Sequence, residues 1–295
     1  MVLVDKGRIV EARVMLDGVV PAGAVLAAQL KSVGRNAIAI ADGREYLLPK
    51  GAPGVTQGGT LTIEVTREAI GTEGWKRALA RLVDSRAQAA PALTGRTLAF
   101  PTPRDELEEA GWSDLIEEAR SGIVAFPGGE LRIAVTPAMT LIDIDGGLAP
   151  SELAIAGARA AAEAIRRHGI SGSIGIDLPT TGKVARQASV DAVDAILPQP
   201  FERTAVNGFG FLQIVRPRRH ASLFELALDR PAFEVRGLLR RAARETGQTD
   251  LIAHPKVIAA ILPEWTEALA RQVGGSVSLR AEPSLGIAGG HAVHA

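Results

Sequence analysis

Two apolar runs that end in aspartate, separated by one helix-length segment, constrain this chain more than any other feature. Residues 140–147 read TLIDIDGG and residues 172–183 read GSIGIDLPTTGK. Between them, SELAIAGARAAAEAIRRHGI puts Ile155, Ala158, Ala162 and Ile165 on one face of a helix and Glu152, Arg159, Glu163 and Arg167 on another. Pro150 to His168 is the predicted helix, with Ser151 as its N-cap and Gly169 as its stop. Strand, helix and strand with short connections make a βαβ unit, whose strands are expected to be parallel and in one sheet. Asp143 and Asp145, two residues apart, then share one strand face, and Asp177 takes the matching place on the second strand.

Three carboxylates are thereby expected at the C-terminal edge of a sheet, where ligand sites of α/β folds lie. Such a group repels itself unless a cation or proton is shared, and hard cations such as Mg²⁺ or Mn²⁺ take oxygen ligands. An aspartate followed by glycine at a strand end is also ordinary turn chemistry, so spacing alone leaves both readings open.

Composition sets the outer bounds. A chain of 295 residues, 46% hydrophobic and 22% charged, is expected to form about two domains. Its formal charge of zero supplies no global basic field, so nucleic-acid binding must rest on local patches. Having no cysteine, it can form neither disulfides nor thiolate zinc sites. The opening MVLVDKGRIVEARV has charges within its apolar pattern and is not a signal peptide. No apolar run of about eighteen residues occurs, so the expectation is a cytoplasmic protein without a membrane partner.

Val2–Leu16 reads as two short strands turning at Asp5-Lys6-Gly7, and Val25–Lys31, Ala37–Ile40, Arg44–Leu48 and Thr60–Thr66 as further strands. Short strands at this spacing predict a small closed barrel of OB type. The barrel region is mildly basic, but Tyr46 and Trp75 are its only stacking candidates. Glu73–Ala89 reads as helix or long loop, Ala87–Thr94 as a linker, Thr97–Phe100 as a strand and Asp105–Arg120 as one helix. A helix over Lys183–Ile196 and an alternating strand over Phe201–Val215 follow, the latter ending in the basic cluster Arg216, Arg218, Arg219 and His220. Helices over Glu234–Glu245, Lys256–Leu262 and Trp265–Gln272 and a strand over Ser276–Leu279 complete the pattern, with His291 and His294 read as a solvated tail. Gly182-Lys183 is not a P-loop, because Asp177 stands at its first glycine and Val184 at its Ser/Thr.

PAMTLIDIDGG (Pro137–Gly147), GSIGIDLPTT (Gly172–Thr181) and GFGFLQIVRPR (Gly208–Arg218), in this order and at this spacing, resemble the catalytic core of the ribonuclease E/G family. REAIGTEG (Arg67–Gly74) is similar to the end of that family's OB-type domain. HPKVIAAIL and LRAEPSL (His254–Leu262, Leu279–Leu285) are similar to its small C-terminal domain. The resemblance implies an α/β (α+β) fold of four parts. These are an RNase H-like piece (1–22 and 95–128), an OB-fold-like RNA-binding domain (23–86), a deoxyribonuclease I-like core (129–232) and a small C-terminal domain (233–295). It implies a metal-dependent endoribonuclease on single-stranded RNA, with Asp143 and Asp177 catalytic and Asp143, Asp145 and Asp177 around Mg²⁺ (or Mn²⁺). The expected RNA contacts are Tyr46, Arg67, Lys76, Arg77, Lys183, Arg216, Arg218 and Arg219. A non-catalytic RNA-binding protein of the same fold and a metal-dependent phosphohydrolase are the alternatives.

The chain departs from the family pattern in four places. Leu228-Asp229-Arg230-Pro231-Ala232 stands where the family has a Cys-Pro-x-Cys zinc link, so no zinc is expected and any homodimer through the C-terminal domain forms without it. The segment from Trp75 to Glu130 is too short for the family's 5′-monophosphate pocket. Glu73 and Gly208 stand where lysine and arginine are usual, which weakens the expected RNA contacts without touching the metal site.

Overall fold

The computed structural model describes residues 1–71, 76–90, 94–98 and 104–294. The chain divides into two units, residues 1–93 with 107–225 and residues 94–106 with 226–295.

In the first unit, β1 (Val2–Asp5) and β2 (Arg8–Ala12) pair as an antiparallel hairpin. β2 buries Ile9 and Ala12, and the Ile9 amide donates to the Ala110 carbonyl at 3.0 Å. The next five strands are β3 (Val25–Ser32), β4 (Ala37–Ala41), β5 (Arg44–Leu48), β6 (Thr60–Arg67) and β7 (Leu79–Leu82). They close into a barrel in the order β3-β4-β5-β7-β6, consistent with the OB type. β7 is the closing strand, parallel to β5 and antiparallel to β6, and it lies inside the stretch Glu73–Ala89 expected to be helix or long loop; residues 83–89 after it are irregular. The LARL sequence of β7 carries no clean period of two, so only its two barrel neighbours define it as a strand. Period two does order β4, whose Ala37, Ala39 and Ala41 point inward. Ala39 is the register partner of Tyr46, and the small side chain leaves room for the ring inside the barrel.

The single helix expected over Asp105–Arg120 is two: α1 (Glu106–Glu109) and α2 (Trp112–Ser121). Gly111 divides them with φ of 91°, a left-handed conformation that a helix cannot continue through. β8 (Ile123–Phe126), β9 (Gly129–Val135), β10 (Thr140–Gly146), α3 (Pro150–Arg167), β11 (Gly172–Asp177), α4 (Lys183–Ile196), β12 (Glu202–Arg203) and β13 (Phe211–Arg216) follow. The strands form one sheet in the order β12-β13-β11-β10-β9-β8, in which only β10 and β11 are parallel. β8 therefore belongs to the same sheet as residues 129–216. The helix begins at Pro150 as expected, but its N-cap lies two residues before Ser151: Ala149 is the N-cap of α3 and Pro150, with its fixed φ and no amide hydrogen, is the first helical residue. The alternating stretch Phe201–Val215 is two strands with a turn at Asn207–Gly210 between them.

α3 and α4 cover one face of this sheet. Ile142, Ile144, Ile174, Ile176, Leu212 and Ile214 point into the core with Ala158, Ala162, Ile165, Val190 and Val193 from the helices. Leu141, Asp143 and Asp145 alternate with them and stand on the opposite face, exposed. Burying one face of a pleated strand while solvating the other is what the TLIDID pattern encodes.

α5 (Leu223–Leu226) ends the first unit. The second unit contains α6 (Arg230–Ala242), β14 (Thr249–Ala253), α7 (Pro255–Ile258), α8 (Pro263–Val273), β15 (Val277–Ala281) and β16 (His291–His294). Its sheet runs β15-β14-β16 over a core of Val235, Leu238, Leu251, Ala253 and Leu269. His291 and His294 are exposed as expected, but they lie in β16, paired antiparallel to β14, and not in an unpaired tail. Asp105 binds Arg240 at 3.0 Å and Arg244 at 3.2 Å. No helix among the described residues is long and apolar enough to cross a membrane.

Candidate functional site: an acidic pair on the open sheet face

Register brings the two principal aspartates together. On the parallel strands β10 and β11, Asp143 pairs directly with Asp177. Neighbouring strands lie about 4.8 Å apart and side chains of paired residues point to the same face, so the two carboxylates stand side by side. Both are exposed. On the other side of Asp143, antiparallel β9 places Arg132, and on the other side of Asp177, antiparallel β13 places Phe211. One row of side chains thus crosses the open face in the order Arg132, Asp143, Asp177, Phe211.

Asp145 lies one step further along, opposite Glu130, and faces the Arg132 guanidinium at 3.6 Å. Arg132 also donates to Glu130 at 2.6 Å. Among the described residues no group of three or more His, Cys, Asp or Glu side chains is arranged to hold a metal ion. The sheet supplies a pair of carboxylates, with the third turned toward an arginine. Two carboxylates still suit a hard divalent cation, because Mg²⁺ is commonly held by one or two carboxylates with waters and substrate phosphate completing its octahedron.

Loops at this edge complete the site. Leu178 to Gly182 leads from β11 into α4, whose first turn carries Lys183, Val184 and Arg186 and no acidic residue. The turn before β13 is tied down by Asn207, whose Oδ1 accepts from the amides of Phe209 at 2.9 Å and Phe211 at 3.0 Å. The Leu178 amide donates to the Gly210 carbonyl at 3.1 Å, and Thr180 Oγ1 donates to the Phe209 carbonyl at 3.3 Å. Gly175, register partner of Gln213 on β13, leaves the space in which the Phe211 ring lies: a Cβ there would sit 2.5 Å from Phe211 Cζ.

Several expected RNA contacts are used inside the fold instead. Tyr46 is 2% exposed in the barrel core, where desolvation raises its hydroxyl pKa, and it cannot stack on a base. The basic cluster after β13 lies at the wrong end of the sheet. β13 runs antiparallel to β11, so Arg216 pairs with Gly172 while Phe211 pairs with Asp177. Five residues at about 3.3 Å each separate the cluster from the acids by roughly 17 Å. Arg216 donates to the Ile170 carbonyl at 2.9 Å, and burial lowers its pKa. Arg218 donates to the Ser171 carbonyl at 3.0 Å and faces Glu225 at 3.3 Å. Of the three arginines, only Arg219 is exposed.

On the barrel, Lys76 is half-buried against Glu225 at 3.2 Å, and Arg67 donates to the Arg77 carbonyl at 2.7 Å. The pKa of Arg67 is lowered by desolvation and by Arg218 nearby. Arg77 is exposed, 3.9 Å from Glu45. Lys183 is exposed at the acidic edge. Glu73 and Trp75 lie outside the described residues. Sequence reasoning passed over Arg132, Arg186, Phe209 and Phe211. Arg132 was legible as the outward residue of Leu131-Arg132-Ile133, but nothing local ties it to Asp143.

Fold and site together define a mixed α/β protein with a closed five-stranded barrel and a carboxylate pair on an open sheet face. No protein-family model matches the chain, and no curated protein sequence is found that matches it.

Proposed function

We propose that the chain is a metal-dependent endoribonuclease hydrolysing phosphodiester bonds of single-stranded RNA, on a reduced ribonuclease E/G plan. In this reading the barrel is the RNA-binding OB domain, residues 129–232 are the deoxyribonuclease I-like core, and residues 1–22 with 95–128 are the RNase H-like piece, whose strand β8 joins the six-stranded sheet. The observation that carries it is the direct pairing of Asp143 with Asp177 on parallel strands, at the strand ends and on the uncovered face. Side-by-side carboxylates repel, which favours a cation between them. A bound Mg²⁺ or Mn²⁺ would supply Lewis-acid polarisation of the scissile phosphate and a more acidic water.

The chain's own groups then divide the remaining work. Asp143 and Asp177 hold negative charge at one point of an otherwise open surface. Arg132 offsets the charge of Asp145 and Glu130, which keeps anionic phosphate from meeting four uncompensated carboxylates. Lys183 and Arg186 supply cations on the side where a phosphate chain would approach. The exposure of Leu141, Asp143, Asp145 and Asp177 on the open face leaves room for a polymer to lie across it.

The test is incubation of the purified protein with a labelled unstructured RNA in Mg²⁺, Mn²⁺ or EDTA. Internal cleavage in either metal, abolished by EDTA, supports the reading; intact RNA under all conditions overturns it. A phosphohydrolase acting on small substrates is the second reading. It is favoured by Tyr46 being buried and by Arg216 and Arg218 being engaged internally, which reduces the surface available to RNA. Hydrolysis of bis-p-nitrophenyl phosphate without cleavage of RNA would select it.

A further inference from the structure

Phe209 is 86% exposed, among the most exposed large apolar side chains in the described residues. An aromatic ring left in water costs hydrophobic free energy that a mobile loop would recover by folding over. This loop has no such freedom. Asn207 Oδ1 fixes the Phe209 and Phe211 amides, the Asn207 amide donates to the Phe211 carbonyl at 3.0 Å, and Thr180 Oγ1 holds the Phe209 carbonyl. Gly210 then takes φ of 94° and passes so close to the residue that follows β11 that a Cβ would sit 2.1 Å from the Leu178 carbonyl oxygen. The main chain on both sides of Phe209 is therefore tied down, and the ring projects into solvent from it.

Its neighbours are cationic. A Cβ on Gly208 would lie 3.8 Å from Arg186 Nη1, so the Arg186 guanidinium stands beside the turn. Lys183 is exposed on the same first turn of α4, and neither cation has a carboxylate partner among the described residues. Two residues beyond Phe209, Phe211 pairs with Asp177. An outward aromatic, two unpaired cations and a carboxylate pair at one sheet edge match the repeating chemistry of a single-stranded nucleic acid, base beside phosphate.

We propose that Phe209 is the base-stacking residue of this site, with one nucleobase of single-stranded RNA on its ring and the adjoining phosphate near Lys183 and Arg186. The proposal rests on the ribonuclease reading above and adds the residue that seats the substrate. Stacking on a π-face is sequence-tolerant, so the contact selects unpaired nucleotides over duplex and not one base over another.

The experiment measures binding in EDTA, where cleavage does not intervene. A fluorescent single-stranded oligoribonucleotide is titrated with wild type, Phe209→Ala and Phe209→Trp. The same strand with abasic residues serves as the base-free probe. The expected result is about tenfold weaker binding for Phe209→Ala, recovery with Phe209→Trp, and equal binding of the abasic strand to wild type and Phe209→Ala. Equal affinity of wild type and Phe209→Ala for the intact strand overturns the proposal, as does an equal loss on the abasic strand. A ring that instead seats a second copy of this chain would show dimer dissociation in Phe209→Ala without loss of RNA affinity, which also overturns it. Cleavage in Mg²⁺ is scored separately. Phe209-dependent binding without cleavage overturns the ribonuclease reading alone, and cleavage with unchanged Phe209→Ala binding overturns this proposal alone.

Discussion

Asp143 and Asp177 occupy the same level of two adjacent parallel strands, with Arg132 beyond the first and Phe211 beyond the second. Paired like charges destabilise a sheet slightly, by a few tenths of a kcal/mol. Asp143→Asn and Asp177→Asn are therefore expected to melt at or slightly above the wild-type temperature in EDTA while losing cleavage by orders of magnitude. Added Mg²⁺ should raise the melting temperature of wild type through binding to the folded state, and raise it less in either variant. Cleavage rates and thermal melts with and without Mg²⁺ check this. An equal Mg²⁺ response in all three proteins would remove the metal from this pair.

Arg218 and Arg219 are adjacent in sequence and differ in role. Arg218 is half-buried between the Ser171 carbonyl and Glu225, whose side chain is nearly inaccessible. Arg218→Ala leaves Glu225 with Lys76, the Ser222 amide and the Ser222 hydroxyl, and is expected to cost about 1–3 kcal/mol of stability. Its RNA affinity should match wild type once the folded fraction is accounted for. Arg219→Ala should leave melting unchanged. If Arg219 meets a phosphate, the salt dependence of RNA binding should flatten by somewhat under one unit of slope. Urea melts and salt-dependent titrations separate the two.

His168 makes stability depend on pH. Its ring is fully buried, packed at a tilt against Phe224 with ring centres 4.5 Å apart, and its Nε2–H donates to Glu118 Oε2 at 2.8 Å while Arg167 reaches the other oxygen at 2.9 Å. Burial lowers its pKa, outweighing the Glu118 hydrogen bond and charge that favour protonation. The folded imidazole thus stays neutral where the unfolded one, near pH 6.5, takes up a proton. The stabilisation is complete above that pH and is lost as pH falls below it, by at most about 1.4 kcal/mol per pH unit. Melting temperature should fall from pH 7 to pH 5.5 in wild type and fall less in His168→Gln. Identical profiles would assign the slope to other groups.

End discrimination is expected to be absent. The sequence has no cysteine for a zinc link, and the stretch from Trp75 to Glu130 is short for a pocket with several donors around one terminal phosphate. Initial rates on 5′-triphosphate, 5′-monophosphate and 5′-hydroxyl RNAs of one sequence should be nearly equal and indifferent to a selective zinc chelator. A tenfold preference for the monophosphate, about 1.4 kcal/mol, would reveal a sensor.

What the sequence determined by itself was local. Period-two alternation in Leu141–Asp145 already divides Ile142 and Ile144 from Asp143 and Asp145, and period 3.6 defines α3 and α4 with nearly their observed ends. These patterns are legible because each residue's face depends only on the conformation of its own few neighbours. Tertiary structure decided the rest. The direction of β13 sends Arg216 and Arg218 away from the acids, and a parallel placement of the same residues would have brought them near. Barrel closure by β7 turns Tyr46 from a candidate stacking ring into a core side chain, because inside and outside have no meaning until the fifth strand is paired. Asp143 meets Asp177 only through a register spanning all of α3. Register and strand direction are set by long-range pairing and burial, which no short window of sequence contains.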